Sequence, residues 1–311
     1  MSFTRRTFIK HSVNLGLGIG IAGNIASVSA QTGKQTLIMK TIPASGEQVP
    51  AVGIGCRNYR GALSSAEYPV FKDTFAMFHR LGGKVVDTSP NYGNSEEVIG
   101  NIMRELNIRN DLWVATKVDR EDEQSGIQRM QDSFKNLGGD KIDLMQVHNL
   151  RGADIQLNTM QQWKEQGRLK YIGVTTSSDR QYDDLLQIMQ KHPLDFIQVD
   201  FSLGNRNAGN RLLPLARDKG MAVLVNLPFG RGELFRAVGD KPLPDWAQEL
   251  GANSWAQVFL KYIMAQAGTV IPIPGTTKPH HAEDNVGAAT GKLPDATMMR
   301  TMEQFIDPLL N

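Results

Sequence analysis

The sequence predicts an α/β fold, a single-domain (β/α)8 TIM barrel. Eight short apolar runs, at residues 52–55, 84–87, 112–117, 142–147, 171–175, 196–200, 222–226 and 270–272, alternate with stretches of helical spacing. Their ends step along the chain at Gly55, Asp87, Lys117, Val147, Thr175, Asp200 and Asn226, intervals of 25 to 32 residues, the length of a strand, a helix and two loops. Eight such units in roughly 280 residues is what a closed barrel requires, whereas a doubly wound open sheet more often stops at about five to seven strands.

The elements follow in order. Residues 2–10 read SFTRRTFIK and lead into a mildly apolar, glycine-rich stretch that ends at the small-residue pattern Val28-Ser29-Ala30. This segment resembles a twin-arginine signal peptide, so residues 1–30 are expected to be an address and 31–311 the barrel domain. Four glycines together with Asn14 and Asn24 make the stretch too polar and too short for a lasting membrane anchor. Its Gly18-Ile19-Gly20-Ile21-Ala22-Gly23 matches the dinucleotide fingerprint letter for letter. No strand precedes it, however, and no acid stands about 20 residues further on, so that reading is rejected. A hairpin of residues 36–42 and 48–52 around Ala44-Ser45-Gly46 comes next, then the strand and helix repeat. Val70, Phe71, Thr74, Phe75, Phe78 and Leu81 show the helical spacing of its first gap. The longer interval between Asn226 and Pro272 holds Pro242, Pro244 and an additional helix around 246–250, and helices near 282–288 and 294–309 close the chain.

Composition excludes other classes. Of 311 residues, 41% are hydrophobic and 21% charged, near globular averages. The net charge is +2, and removal of Arg5, Arg6 and Lys10 with the leader brings it to −1. Without a basic block, a nucleic-acid partner is not expected. Cys56, the single cysteine, makes no intrachain disulfide and no cysteine-rich metal site.

In such a barrel the active site is built from the C-terminal strand ends and the loops after them. Asp87 closes the second run, Tyr92 follows five residues later, Lys117 closes the third and His148 ends the fourth. Each has an ordinary alternative: a turn acid, a packed ring, a snorkelling lysine, a satisfied core histidine. Together, in the string D-T-x-x-x-Y-G-x-S-E from Asp87 to Glu96 with Lys117 and His148 in register, they resemble the catalytic tetrad of the aldo-keto reductase family. The resemblance covers essentially the whole chain after the leader. It implies a carbonyl reductase or alcohol dehydrogenase that uses a nicotinamide cofactor and no metal. In that reading Tyr92 is the general acid that protonates the carbonyl oxygen. A free phenol ionises near pH 10, and the Lys117 ammonium favours the phenolate. Asp87 holds Lys117, and His148 orients the carbonyl.

The resemblance also implies a cofactor side. Thr175 and Thr176 stand where the family commonly has Ser and Asn for the carboxamide, Gln198 matches the family's glutamine, and Asn226 replaces the usual stacking Tyr. The loop VNLPFGRG brings Pro228, Gly230 and Gly232 beside the pyrophosphate, where glycine lets backbone N–H groups approach. Gly275, Thr276, Thr277 and Lys278 are the implied partners of a 2′-phosphate, Asp284 and Asn285 of adenine. His281 stands where an Arg is frequent, and Lys278 supplies a charge there. NADP(H) is therefore expected ahead of NAD(H). His280 and His281, adjacent on one helix, point in different directions and are not read as a metal cluster.

Loop position nominates Cys56, Tyr59 and Asn149 as substrate-pocket residues, with Arg57, Asn58, Asn91, Leu150 and Arg151 beside them. The expected partners are a small carbonyl or alcohol substrate and, during export to the periplasm, the twin-arginine translocon. The alternative function is a non-catalytic nucleotide sensor or partner subunit on the same barrel, which an intact tetrad disfavours. A metal-dependent hydrolase needs several His and Asp ligands at strand ends, and His148 alone meets that need.

Overall fold

The structure, a computed structural model, describes residues 36–310. The expected leader, residues 1–30, lies outside them. Strands β1 (Met39–Thr41) and β2 (Gln48–Pro50) pair antiparallel, with Met39 opposite Pro50 and Thr41 opposite Gln48. The turn between them needs Gly46, whose φ is +76°.

The barrel strands are β3 (Ile54–Gly55), β4 (Val85–Asp87), β5 (Trp113–Val118), β6 (Ile142–His148), β7 (Leu169–Thr175), β8 (Phe196–Asp200), β9 (Ala222–Asn226) and β10 (Val270–Pro272). They form one parallel sheet in sequential order. Its two edges meet: Gly53 N–H donates to Pro272 O (2.9 Å), Gly55 N–H donates to Pro274 O (3.0 Å), and Gly55 bridges Gly275. The eight strands lie where the apolar runs placed them, within three residues at either end, because each run is a buried strand hemmed by polar or turn residues.

Period-two alternation explains the interior. Val85, Trp113, Ala115, Leu144, Tyr171, Phe196, Ala222, Leu224, Ile271 and Ile273 form one inward cluster, closed at the N-terminal end by Ile42 and Val49 of the hairpin. Trp113, Tyr171 and Phe196 pack there as tilted and edge-on rings with centroids 5.4 to 6.0 Å apart. Further along five of these strands the same inward face becomes polar: Asp87 after Val85, Lys117 after Ala115, Gln146 and then His148 after Leu144, Gln198 after Phe196, Asn226 after Leu224. The barrel is thus an apolar plug with a polar layer above it.

Helices cover the outside. In Tyr68–Arg80 the buried Phe71, Thr74, Phe75 and Phe78 recur at helical spacing, and packing on the sheet fixes the helix. Asp122, Ser254 and Asp295 cap the helices Glu123–Leu137, Trp255–Met264 and Ala296–Ile306 by accepting a backbone N–H. The extra helix in the long interval is Trp246–Glu249. No helix among the described residues is long and apolar enough to cross a membrane.

Candidate active site

A cleft of about 420 Å3 opens over the polar layer. Of the four strand-end residues, Asp87, Tyr92 and His148 line it, and Lys117 lies beneath, 1% exposed. Lys117 Nζ donates to both carboxylate oxygens of Asp87 (2.7 and 2.9 Å) and to Thr88 O (2.7 Å). Burial opposes the ammonium, but Asp87 and then Tyr92 outweigh it, so Lys117 titrates above its ordinary value. The ammonium lies 5.3 Å from the centroid of the Tyr92 ring. Such a pair is tolerated in the interior because its hydrogen bonds are filled. Gln198 (2.9 Å) and Gln146 (3.3 Å) both donate to Asp87 Oδ1.

The Tyr92 and His148 rings meet edge to face, centroids 5.9 Å apart. Burial first, then the charges of Lys117 and Arg57, push His148 down to about 3 against the opposing pull of Asp119. The imidazole is therefore neutral near pH 7, and its surroundings choose the tautomer. Ser89 Oγ accepts the Asn91 N–H (3.1 Å), which frees its own proton for His148 Nδ1, 3.1 Å away. The Asn91 amide, 3.4 Å from the same nitrogen, can only donate to it. Nδ1 is thus the acceptor, and the ring proton sits on Nε2.

On the cofactor side, Thr175, Gln198, Asn226, Pro228, Gly232 and Gly275 line the cleft. Thr175 Oγ1 donates to Gln198 Oε1 (2.8 Å), so the glutamine joins this wall to Asp87. Asn226 donates to Thr176 O (3.1 Å), while its buried Oδ1 has no partner. Gly230 sits behind the wall in a loop with left-handed φ at Leu227, Gly230, Arg231 and Gly232.

Two expectations, Tyr59 and Thr176, are corrected. Tyr59 is not a pocket wall: fully buried, its ring packs on Phe71 and Phe75 and its hydroxyl donates to Thr276 O (2.7 Å). The Thr176 hydroxyl turns away from the cleft, donating to Gln181 Oε1 (2.6 Å) and accepting the Ser178 N–H, a local turn that outcompetes an outward pose. Asp284 is occupied by Ser254 (2.7 Å) and Gln257 (2.8 Å), and Asn285 is buried. Thr276, Thr277, Lys278 and His281 come directly after Gly275, the last residue of the chain to line the cleft. Lys278 and His281 are exposed there, at the start of the helix Pro279–Gly287. Burial, His280 and Lys278 hold His281 below its ordinary value, so Lys278 is the charge of this segment.

Cys56 and Asn149 do line the cleft. Burial, with Asp87 adding to it, pushes the Cys56 thiol up, so it is an inert wall rather than a nucleophile. Three residues went unnoticed in the sequence: Ser89, Gln146 and Arg231. Gln146 had a signal, since it stands two residues before His148 and must share its inward face. Among the described residues, no group of three or more His, Cys, Asp or Glu could hold a metal ion.

Fold and site define the class: a barrel enzyme whose buried Lys–Asp pair backs a tyrosine and a neutral histidine at the cleft floor. The chain belongs to the aldo/keto reductase family, whose model matches residues 51–306. Members of this family are NAD(P)H-dependent oxidoreductases acting on carbonyl groups, and this chain is one of them. It is 29% identical over 254 residues to aldo-keto reductase str7 of Strobilurus tenacellus, covering 69% of this chain and 75% of that one. It is 25% identical over 304 residues to aldo-keto reductase yakc [NADP(+)] of Schizosaccharomyces pombe, covering 83% and 88%. In fold it resembles an aldo/keto reductase from Klebsiella pneumoniae solved with NADP and acetate, at TM-score 0.72 and 19% identity, over 87% of this chain and 96% of that one.

Proposed function

We propose that this chain reduces an aldehyde or ketone to an alcohol, or runs the reverse reaction, with NADP(H) as cofactor and Tyr92 as the acid. The observation that carries the reading is the constellation at the cleft floor: a phenol beside a buried, charge-paired ammonium, facing a neutral Nε2–H imidazole. The cleft suits a nicotinamide. The orphaned Oδ1 of Asn226 is an acceptor awaiting a donor such as the carboxamide N–H, and Thr175 and Gln198 stand beside it. Lys278 favours the phosphorylated cofactor. When bound there, the cofactor would supply the hydride that the carbonyl carbon takes up.

The chain's own residues do the rest. His148 Nε2–H donates to the carbonyl oxygen and polarises it. Tyr92 Oη gives that oxygen its proton, the phenolate left behind is stabilised by the Lys117 ammonium, and solvent at the cleft mouth reprotonates it. Asp87, locked by Lys117, Gln146 and Gln198, keeps the ammonium in place. Replacing Tyr92 with Phe removes the proton and little else. Tyr92→Phe is expected to bind NADPH with unchanged affinity by tryptophan fluorescence while kcat for carbonyl reduction falls about 10²- to 10⁴-fold. Near-normal turnover in that variant would overturn the assignment.

We further propose export of the folded chain by the twin-arginine route, carrying its cofactor to the periplasm. Arg5-Arg6, the mild apolar stretch and Val28-Ser29-Ala30 support this. A double Arg5→Lys, Arg6→Lys variant should accumulate uncleaved in the cytoplasmic fraction. Unaltered processing of that variant would argue for another destination.

A further inference from the structure

We propose that the carbonyl substrate carries a carboxylate and that Arg57 receives it; this rests on the reductase reading above and names the substrate class of the same site. Arg57 is the second residue after β3, between Cys56 and Asn58, and all three line the cleft. Among the described residues, the exposed guanidinium has no hydrogen bond and no ion pair. The acid in the cleft wall, Asp87, cannot serve it, because Lys117 occupies both of its oxygens and two glutamines add to Oδ1. His148 is neutral and offers no charge. Asp87 and Lys117 cancel, which leaves two guanidinium groups at the cleft, Arg57 and Arg231, and Arg231 has the acid Asp200 near it.

These two divide the cleft. Arg231 belongs to the loop after β9, with Asn226 and Pro228 of the cofactor wall, whereas Arg57 follows β3, whose paired neighbour β4 leads to Asp87 and Tyr92, and its charge is felt at His148 as well. Arg57 is therefore the cation on the substrate side. A single planar fork of N–H donors matches the two oxygens of a carboxylate, and a partly enclosed cationic cleft concentrates small anions. A neutral aldehyde leaves this guanidinium unused.

The test compares two aldehydes of similar size, 4-carboxybenzaldehyde and its neutral methyl ester, methyl 4-formylbenzoate, of which the ester is intrinsically the more electrophilic, so a preference for the acid reports on binding. The wild-type ratio of kcat/KM, acid over ester, is expected to be about tenfold or more, or about 1.4 kcal/mol, and to shrink with added salt. Arg57→Leu is expected to bring the ratio to about one, and Arg57→Lys to restore part of it. A wild-type ratio of one or less, or a ratio that survives in Arg57→Leu, overturns the proposal while the reductase reading stands. If neither aldehyde is reduced, the reductase reading fails, and calorimetry with benzoate and benzamide on the nucleotide-free chain decides Arg57 alone. Benzoate binding that is lost in Arg57→Leu supports the carboxylate site, and equal binding of benzoate and benzamide excludes it.

Discussion

At the scale of single residues, the site is a set of protons held in place by neighbours. His148 is expected to donate from Nε2 because Ser89 donates a hydrogen bond to its Nδ1, and that geometry is open to test. Ser89→Ala leaves Nδ1 with the longer Asn91 contact alone, so both tautomers become populated. We expect a several-fold fall in kcat with cofactor affinity unchanged, and 15N shifts of the His148 ring that change from one tautomer to a mixture. Unchanged ring shifts would make Ser89 a bystander. The sign of the pH dependence follows from the same ring. Its folded pKa, about 3, lies below the unfolded value, so the stability it contributes is complete above about pH 6.5 and is lost as pH falls toward 3. The rate profile should accordingly show no histidine limb between about pH 5 and 8.

Strands and loops were legible to different degrees. Buried parallel strands read as apolar runs whatever the helices around them do, so β8, β9 and β10 match residue for residue. The strand-end residues were legible for the same reason, since a charged group at the end of an apolar run has to be partnered. Loop side chains were not. Loop position nominates Tyr59 and the family resemblance nominates Thr176, but the turn at Cys56 buries the first and a side-chain turn at Ser178 captures the second, and neither leaves a periodic trace. Loop geometry is nonetheless tightly set between β6 and the helix Ala153–Glu165. Asn149 and Leu150 both have left-handed φ, and Gly152, at φ +67°, would place a Cβ 2.1 Å from Arg120 O. Gly152→Ala should cost at least about 2 kcal/mol, lowering Tm by roughly 4 to 8 °C for a chain of this size. Because the strain enters four residues after His148, KM for the carbonyl should rise as well. Calorimetry and steady-state kinetics on the same preparation check both effects, and an unshifted Tm would show that the loop relaxes around the methyl group.

For the whole molecule, the seam that closes the barrel and the mouth of the site are one place. Gly55 and Gly275 bridge the first and last barrel strands, and both also line the cleft. The approach is close: a Cβ on Gly55 would lie 2.8 Å from Ile273 O, a backbone atom of a buried residue that cannot swing aside. Closure in a barrel removes the last unpaired strand edges, so a wedge at the seam loosens the cylinder as a unit rather than one loop. A ligand spanning the cleft bridges the seam and favours the closed form, and it stabilises the fold by mass action in proportion to the logarithm of its concentration over Kd. Gly55→Ala should therefore lower Tm and weaken NADPH binding together, and saturating NADPH should recover part of the lost Tm. Thermal denaturation across a range of NADPH concentrations, with wild type and variant side by side, separates the possibilities. A variant that loses stability but binds with wild-type affinity would show that the seam and the site are neighbours without being coupled.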